Sequence, residues 1–136
     1  MSSSPRVLIV DESAESRDII CTLLQRHGAT TFEAQRPELA VQLANLHQPD
    51  LILLDAESDR GTSGAATDDL RTVAERTDTP VVILGTLTRC RGHFPNGQFV
   101  AKPYHYGPLI RKIEGLLGGV EPPSQAYPRS IGALSI

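Results

Sequence analysis

Val7-Leu8-Ile9-Val10-Asp11-Glu12 is the stretch that decides the fold: a short, mostly β-branched apolar run that ends in two acids. A continuous run of that length suits a parallel strand buried on both faces. The pattern recurs with charge at the same end. Leu51-Ile52-Leu53-Leu54 runs into Asp55, and Phe99-Val100-Ala101 runs into Lys102-Pro103. As neighbouring parallel strands, these runs place their carboxyl ends on one edge of the sheet, where open α/β folds hold their ligands. Three acids and a lysine then converge. Such a cluster repels itself unless a cation sits among the carboxylates, and the lysine is the matching partner for an anion brought in beside them.

Working outward, residues 81–84 form a further central strand, with shorter strands at 30–33 and at Gln98–Ala101. Segments of helical period separate them. Residues 14–27 place Ile20, Leu23, Leu24 and His27 on one face, with Ser13 to cap the start and Gly28 to end it. Pro37–His47 has its proline at a tolerated first-turn position and Leu39, Leu43 and Leu46 as one stripe, so the spacing predicts packing by leucine. Ala65–Arg76 repeats Leu70, Val73 and Ala74, a thin apolar face. Residues 104–117 carry Leu109, Ile110, Ile113, Leu116 and Leu117 and stop at Gly118-Gly119. The alternation implies right-handed crossovers over a parallel sheet.

Two stretches break the alternation. The glycines and proline of residues 87–97 leave room for little more than one helical turn, so a loop is expected there. Residues 118–136 have linker composition, and a flexible or partner-docked tail is expected, as is a flexible N-terminus at 1–5 flanking one domain at 6–117.

At 136 residues the chain is about one domain, long enough to bury a core without disulfide or metal staples. An apolar share of 40% and a charged share of 21% are ordinary globular usage, and a net charge of -3 gives no reason to expect nucleic acid. Cys21 and Cys90 lack ligand-like spacing, which argues for reduced thiols and a cytoplasmic protein. No run approaches the roughly 18 apolar residues of a membrane span, so no membrane association is expected.

An acidic pair after strand one, a single Asp after strand three and Lys-Pro after strand five together resemble the receiver domain of two-component response regulators. The resemblance covers about residues 6–117. It implies a doubly wound, flavodoxin-like five-stranded (βα)5 fold, here with the helix between strands four and five shortened or missing. It also implies transfer of a phosphoryl group from a histidine kinase or phosphotransfer protein to Asp55, with Mg²⁺ as cofactor. The metal would be held by Asp11, Glu12, Asp55 and the backbone carbonyl of Glu57. Lys102 would pair with a phosphoryl oxygen, and its peptide bond to Pro103 would be cis. Phe99 matches the aromatic position that turns inward on activation. The chemistry agrees, because a carboxylate meeting a phosphoryl group needs charge neutralisation more than covalent help.

Taken singly, each group has a plainer reading: Asp11 and Glu12 as helix-start acids, Asp55 as a turn residue, Lys102 as a solvated lysine. The sequence also departs from the family. Glu12 stands where a second Asp usually ligates metal, and Mg²⁺ tolerates poor geometry badly. The hydroxyl expected after strand four falls on Thr86, one residue beyond Gly85, and alternation makes that shift serious unless a bulge at Gly85 turns Thr86 inward. The segment after Asp55 lacks the usual Met-Pro, and partner contacts near 87–97 must differ.

The first expectation is therefore a stand-alone receiver that accepts phosphate on Asp55, with Lys102 and Thr86 assisting. It would transfer onto itself rather than turn over as a conventional enzyme, dock a downstream protein partner, and be a monomer or weak homodimer. The second is a degenerate receiver acting as a phosphorylation-independent interaction module. A flavodoxin-like cofactor binder or small hydrolase is the weakest reading, because the loop after strand one is acidic and has no glycine to cradle a cofactor phosphate.

Overall fold

The structure, a computed structural model, describes residues 4–56, 65–85 and 97–118. In chain order these residues form β1 (Arg6–Val10), α1 (Ala14–Arg26), β2 (Thr30–Ala34), α2 (Pro37–His47), β3 (Leu51–Asp55), α3 (Ala65–Arg76), β4 (Val81–Gly85), β5 (Gln98–Ala101) and α4 (Tyr106–Gly118). All strand pairs are parallel, in the order β2-β1-β3-β4-β5. This is the parallel sheet expected from the alternation, and the doubly wound five-stranded fold that the resemblance implies. The loop expected at 87–97 lies outside the described residues but for Gly97, as does the tail beyond Gly118.

The continuity of the apolar runs has a direct cause: helices cover both faces of the sheet. Leu8, Val10, Ile52, Leu54, Val81 and Ile83 point to one side, where Ala40 and Ala44 of α2 and Leu70, Val73 and Ala74 of α3 meet them. Their neighbours Val7, Ile9, Leu51, Leu53, Val82 and Leu84 point to the other, against Ile20, Cys21 and Leu24 of α1 and Leu109, Ile110 and Ile113 of α4. A strand with period-two side chains and both faces buried has no position left for a polar residue until it leaves the sheet.

Local chemistry sets the helix ends. The Ser13 hydroxyl accepts from the Ser16 N–H at 3.2 Å, capping α1. Gly28 follows with φ 92°, and its N–H donates to the Gln25 carbonyl at 3.0 Å, which closes the helix with a residue suited to that conformation. At α2, Pro37 opens the first turn and Gln48, at φ 49°, donates its N–H to the Ala44 carbonyl at 2.9 Å.

Two expectations about helix faces are corrected. Leu39, Leu43 and Leu46 do not anchor α2. Pro37, Ala40 and Ala44 do, while Leu39 and Leu46 are exposed and Leu43 only partly buried. Small side chains let the helix lie close to the sheet, and the leucines fall on a flank of α2, where Leu39 and Leu46 stay exposed. In α1, His27 leaves the apolar face: its half-exposed ring places Nδ1 2.7 Å from Glu114 Oε2, and Cys21 takes the buried position beside Ile20 and Leu24.

Candidate functional site

Register carries the charged groups to one edge. Val10 lies opposite both Ala34 and Leu54, Asp55 opposite Leu84, and Gly85 opposite Ala101. Asp11 therefore emerges beside the end of β3, and Lys102 one residue beyond the end of β5. The Lys102–Pro103 peptide is cis, as the resemblance implies.

Asp11 and Asp55 are both buried, at 3% and 6% exposure, at the edge of a sheet whose other buried side chains are hydrocarbon. Lys102 Nζ lies 2.9 Å from each carboxylate oxygen of Asp55, a bidentate ion pair with the lysine about one-third exposed. Asp11 Oδ1 accepts from the Ser13 N–H at 2.9 Å, and the Asp11 N–H donates to the Ala34 carbonyl at 3.0 Å. Burial above all pushes the Asp11 carboxyl up to about 6; the Ser13 amide pulls it back in part, the neighbouring Asp55 adds to the rise, and Lys102 opposes it least. One lysine thus serves two crowded carboxylates and leaves negative charge to be balanced.

That donor set fits a small hard cation. Mg²⁺ keeps several waters and needs only one or two protein carboxylates, which Asp11 and Asp55 supply as buried oxygens. Glu12 is exposed rather than buried beside them. Among the described residues no group of three or more His, Cys, Asp or Glu side chains is gathered closely enough to hold a metal ion. Glu57 and Thr86 lie outside the described residues, so the expectations placed on them concern residues that the structure does not describe.

Three residues at the site escaped the sequence reading. Arg17, with its side chain 12% exposed, donates through one terminal nitrogen to the Asp11 carbonyl at 2.7 Å and the Glu12 carbonyl at 3.4 Å. Its Nε meets Glu33 Oε1 at 3.1 Å. Tyr104 packs edge-on to Tyr106 at 5.5 Å, and burial first, then Tyr106 and the carboxylates of Asp11 and Asp55, push its phenol up to about 12. Arg17 on the first turns of α1 was legible as a cation beside two acids, and Tyr104 as an aromatic two residues past Lys102. Glu33 gave no signal, because its partner comes from another strand's helix.

No family model matches the chain. The phosphate regulon transcriptional regulatory protein PhoB of Klebsiella pneumoniae is 30% identical over 122 residues, covering 86% of this chain and 53% of that protein. The chain thus spans about half the length of the curated PhoB relatives it matches. Protein PilH of Pseudomonas aeruginosa is 28% identical over 119 residues, covering 84% of this chain and 98% of PilH. Among solved structures, the receiver domain of the Francisella response regulator 1452 superposes with a TM-score of 0.69 at 24% identity, covering 84% of this chain and 97% of that one. The co-crystal structure of the Saccharomyces cerevisiae histidine phosphotransfer protein Ypd1 with the receiver domain of Ssk1 gives a TM-score of 0.69 at 18% identity, covering 86% and 91%.

With a doubly wound sheet, two acids and a lysine on its carboxyl edge, and these relatives, the chain is a response-regulator receiver domain. Domains of this family bind Mg²⁺ in an acidic pocket and work with histidine kinases or phosphotransfer proteins in two-component signalling. No helix among the described residues is long and apolar enough to cross a membrane.

Proposed function

We propose that Asp55 accepts a phosphoryl group from a histidine kinase or phosphotransfer protein, with Lys102 and Asp11 as its working partners. The observation that carries this reading is the bidentate Lys102–Asp55 pair beside a second buried carboxylate, Asp11. An Asp55 oxygen attacks phosphorus, the bond from phosphorus to the donor imidazole nitrogen breaks, and an acyl phosphate forms. The electron pair of the broken bond returns to the imidazole.

Charge decides how the residues share this work. Two anions meet, and Lys102 already lies within hydrogen-bond distance of both Asp55 oxygens, so a small rotation moves it onto a phosphoryl oxygen as the carboxylate is consumed. Asp11, with Glu12, would hold Mg²⁺ together with Asp55 and the Glu57 carbonyl. When bound, the ion supplies neutralisation of the charge that gathers on the phosphoryl oxygens. Arg17 holds the Asp11 and Glu12 carbonyls and keeps the acidic loop in place. Thr86 is the hydroxyl proposed for the phosphoryl group.

Gly85 favours a second reading. It occupies the end of β4, where the family carries a hydroxyl, and its φ of 153° is one that side-chain-bearing residues rarely adopt. A receiver scaffold that recognises its partner without phosphorylation would need no hydroxyl there. Intact mass after incubation with Mg²⁺ and a small-molecule phosphodonor separates the two. One labile phosphoryl adduct on wild type, absent from Asp55→Asn, supports the phosphoacceptor. No adduct from the donor or from a cognate kinase leaves the interaction module.

A further inference from the structure

Arg17 closes the first turn of α1, where a cation works against the helix dipole. Its side chain is only 12% exposed, so water supplies little of its solvation. Protein groups supply the rest. One terminal nitrogen donates to the Asp11 carbonyl at 2.7 Å and the Glu12 carbonyl at 3.4 Å, while Nε meets Glu33 Oε1 at 3.1 Å. The guanidinium thus ties the loop that carries both acids to the end of β2.

Helix and strand periods bring Glu33 to that place. Arg17, Cys21 and Gln25 recur every four residues along one flank of α1, and Thr31 and Glu33 lie two apart on one face of β2. Gln25 Nε2 donates to the Thr31 hydroxyl at 2.7 Å, Cys21 lies beside Thr31 and Glu33, and Arg17 meets Glu33, so the contacts run in step along the two elements. β2 also grips the loop by its main chain, since the Asp11 N–H donates to the Ala34 carbonyl at 3.0 Å. Two consecutive residues of a strand that lends no group to the cluster of Asp11, Asp55 and Lys102 therefore hold the acidic loop: Ala34 through its carbonyl, Glu33 through Arg17.

Asp11 and Glu12 lie between β1 and α1, outside both elements, so the bonds to their peptide groups set where their side chains aim. We propose that Glu33 is a positioning residue for the metal site: by holding the Arg17 guanidinium against the Asp11 and Glu12 carbonyls, it orients the side chains that take the cation. This rests on the Mg²⁺ site of the phosphoacceptor reading. Mg²⁺ accepts little distortion of its octahedron, so a loop that loses this support binds the ion less well. Glu33 acts only through Arg17.

Mg²⁺ titration of the metal-free protein, followed by the NMR shift of the Ser13 amide, tests it, because that N–H donates to Asp11 Oδ1. Glu33→Ala should weaken Mg²⁺ binding by about fivefold, the upper range for an ion pair with one half-exposed partner. Glu33→Gln, which keeps an oxygen for Arg17 Nε, should recover most of that loss. In an Arg17→Met background, Glu33→Ala should change the affinity no further. Glu33 is half exposed, so substitutions there keep the fold. Unchanged Mg²⁺ affinity in Glu33→Ala, or a further loss in the Arg17→Met background, overturns the proposal and leaves the metal site standing. A loss in Glu33→Gln as large as in Glu33→Ala also overturns it, because the effect is then one of charge. Wild type whose Ser13 amide does not respond to Mg²⁺ overturns the metal reading, and this inference with it.

Discussion

Lys102 Nζ is equidistant, at 2.9 Å, from the two carboxylate oxygens of Asp55. The pair joins β5 to β3 across β4 at the carboxyl edge of the sheet, so in the phosphoacceptor proposed above one contact both fixes the nucleophile and positions the cation that follows the charge onto phosphate.

Replacing Lys102 by alanine should slow phosphorylation of Asp55 by about 10²-fold, the usual loss of one charge-stabilising donor. It should also cost stability, on the order of 1 kcal/mol, because Asp55 then faces Asp11 with no lysine while the lost partner was itself one-third exposed. The double change with Asp55→Asn should regain that stability without activity. Denaturant titration and phosphodonor kinetics on the two variants check both parts.

The acidic pair predicts an inverted pH dependence. Asp11 binds its proton more tightly folded, near 6, than unfolded, near 3.8, so the folded state holds more protons between those values. Its contribution makes the metal-free protein more stable below about pH 4 and is lost as pH rises through about 6. Wild type minus Asp11→Asn, measured by urea unfolding from pH 4 to 7 in chelator, should show this slope. The variant should be the more stable at pH 7, by on the order of 2 kcal/mol.

Arg17→Ala removes the clamp on the Asp11 and Glu12 carbonyls and on Glu33. Stability should drop by about 1 to 2 kcal/mol. The Ser13 amide, now bonded to Asp11 Oδ1, should lose hydrogen-exchange protection. Arg17→Lys should rescue little, since a single ammonium cannot reach acceptors that the planar guanidinium spans. Amide exchange by NMR reports the loop directly.

Gly85→Ser places a hydroxyl where the family has one, but on a backbone at φ 153°. The substitution should destabilise by about 1 to 2 kcal/mol and should not raise the phosphorylation rate. A variant that is both stable and faster would mean that β4 relaxes at its end to accept a side chain. Thermal unfolding and intact mass over time read the two effects.

Much of this was written locally in the chain. The runs at residues 7–10 and 51–54, ending in Asp11 and Asp55, specify parallel strands and the edge that carries the charge, because a strand buried on both faces excludes polar residues until it leaves the sheet. Ser13, Gly28 and Pro37 mark helix ends through their own backbone chemistry. Tertiary structure alone decided which faces meet. The spacing of Leu39, Leu43 and Leu46 shows that they share a side of α2, but Ala40 and Ala44 won the sheet because close approach of a helix favours small side chains. Burial of Asp11 beside exposed Glu12, and the reach of Arg17 to Glu33, likewise depend on contacts between segments distant in sequence. Periodicity fixes neighbours along one element; the layer spacing and register of the whole sheet determine what each element faces.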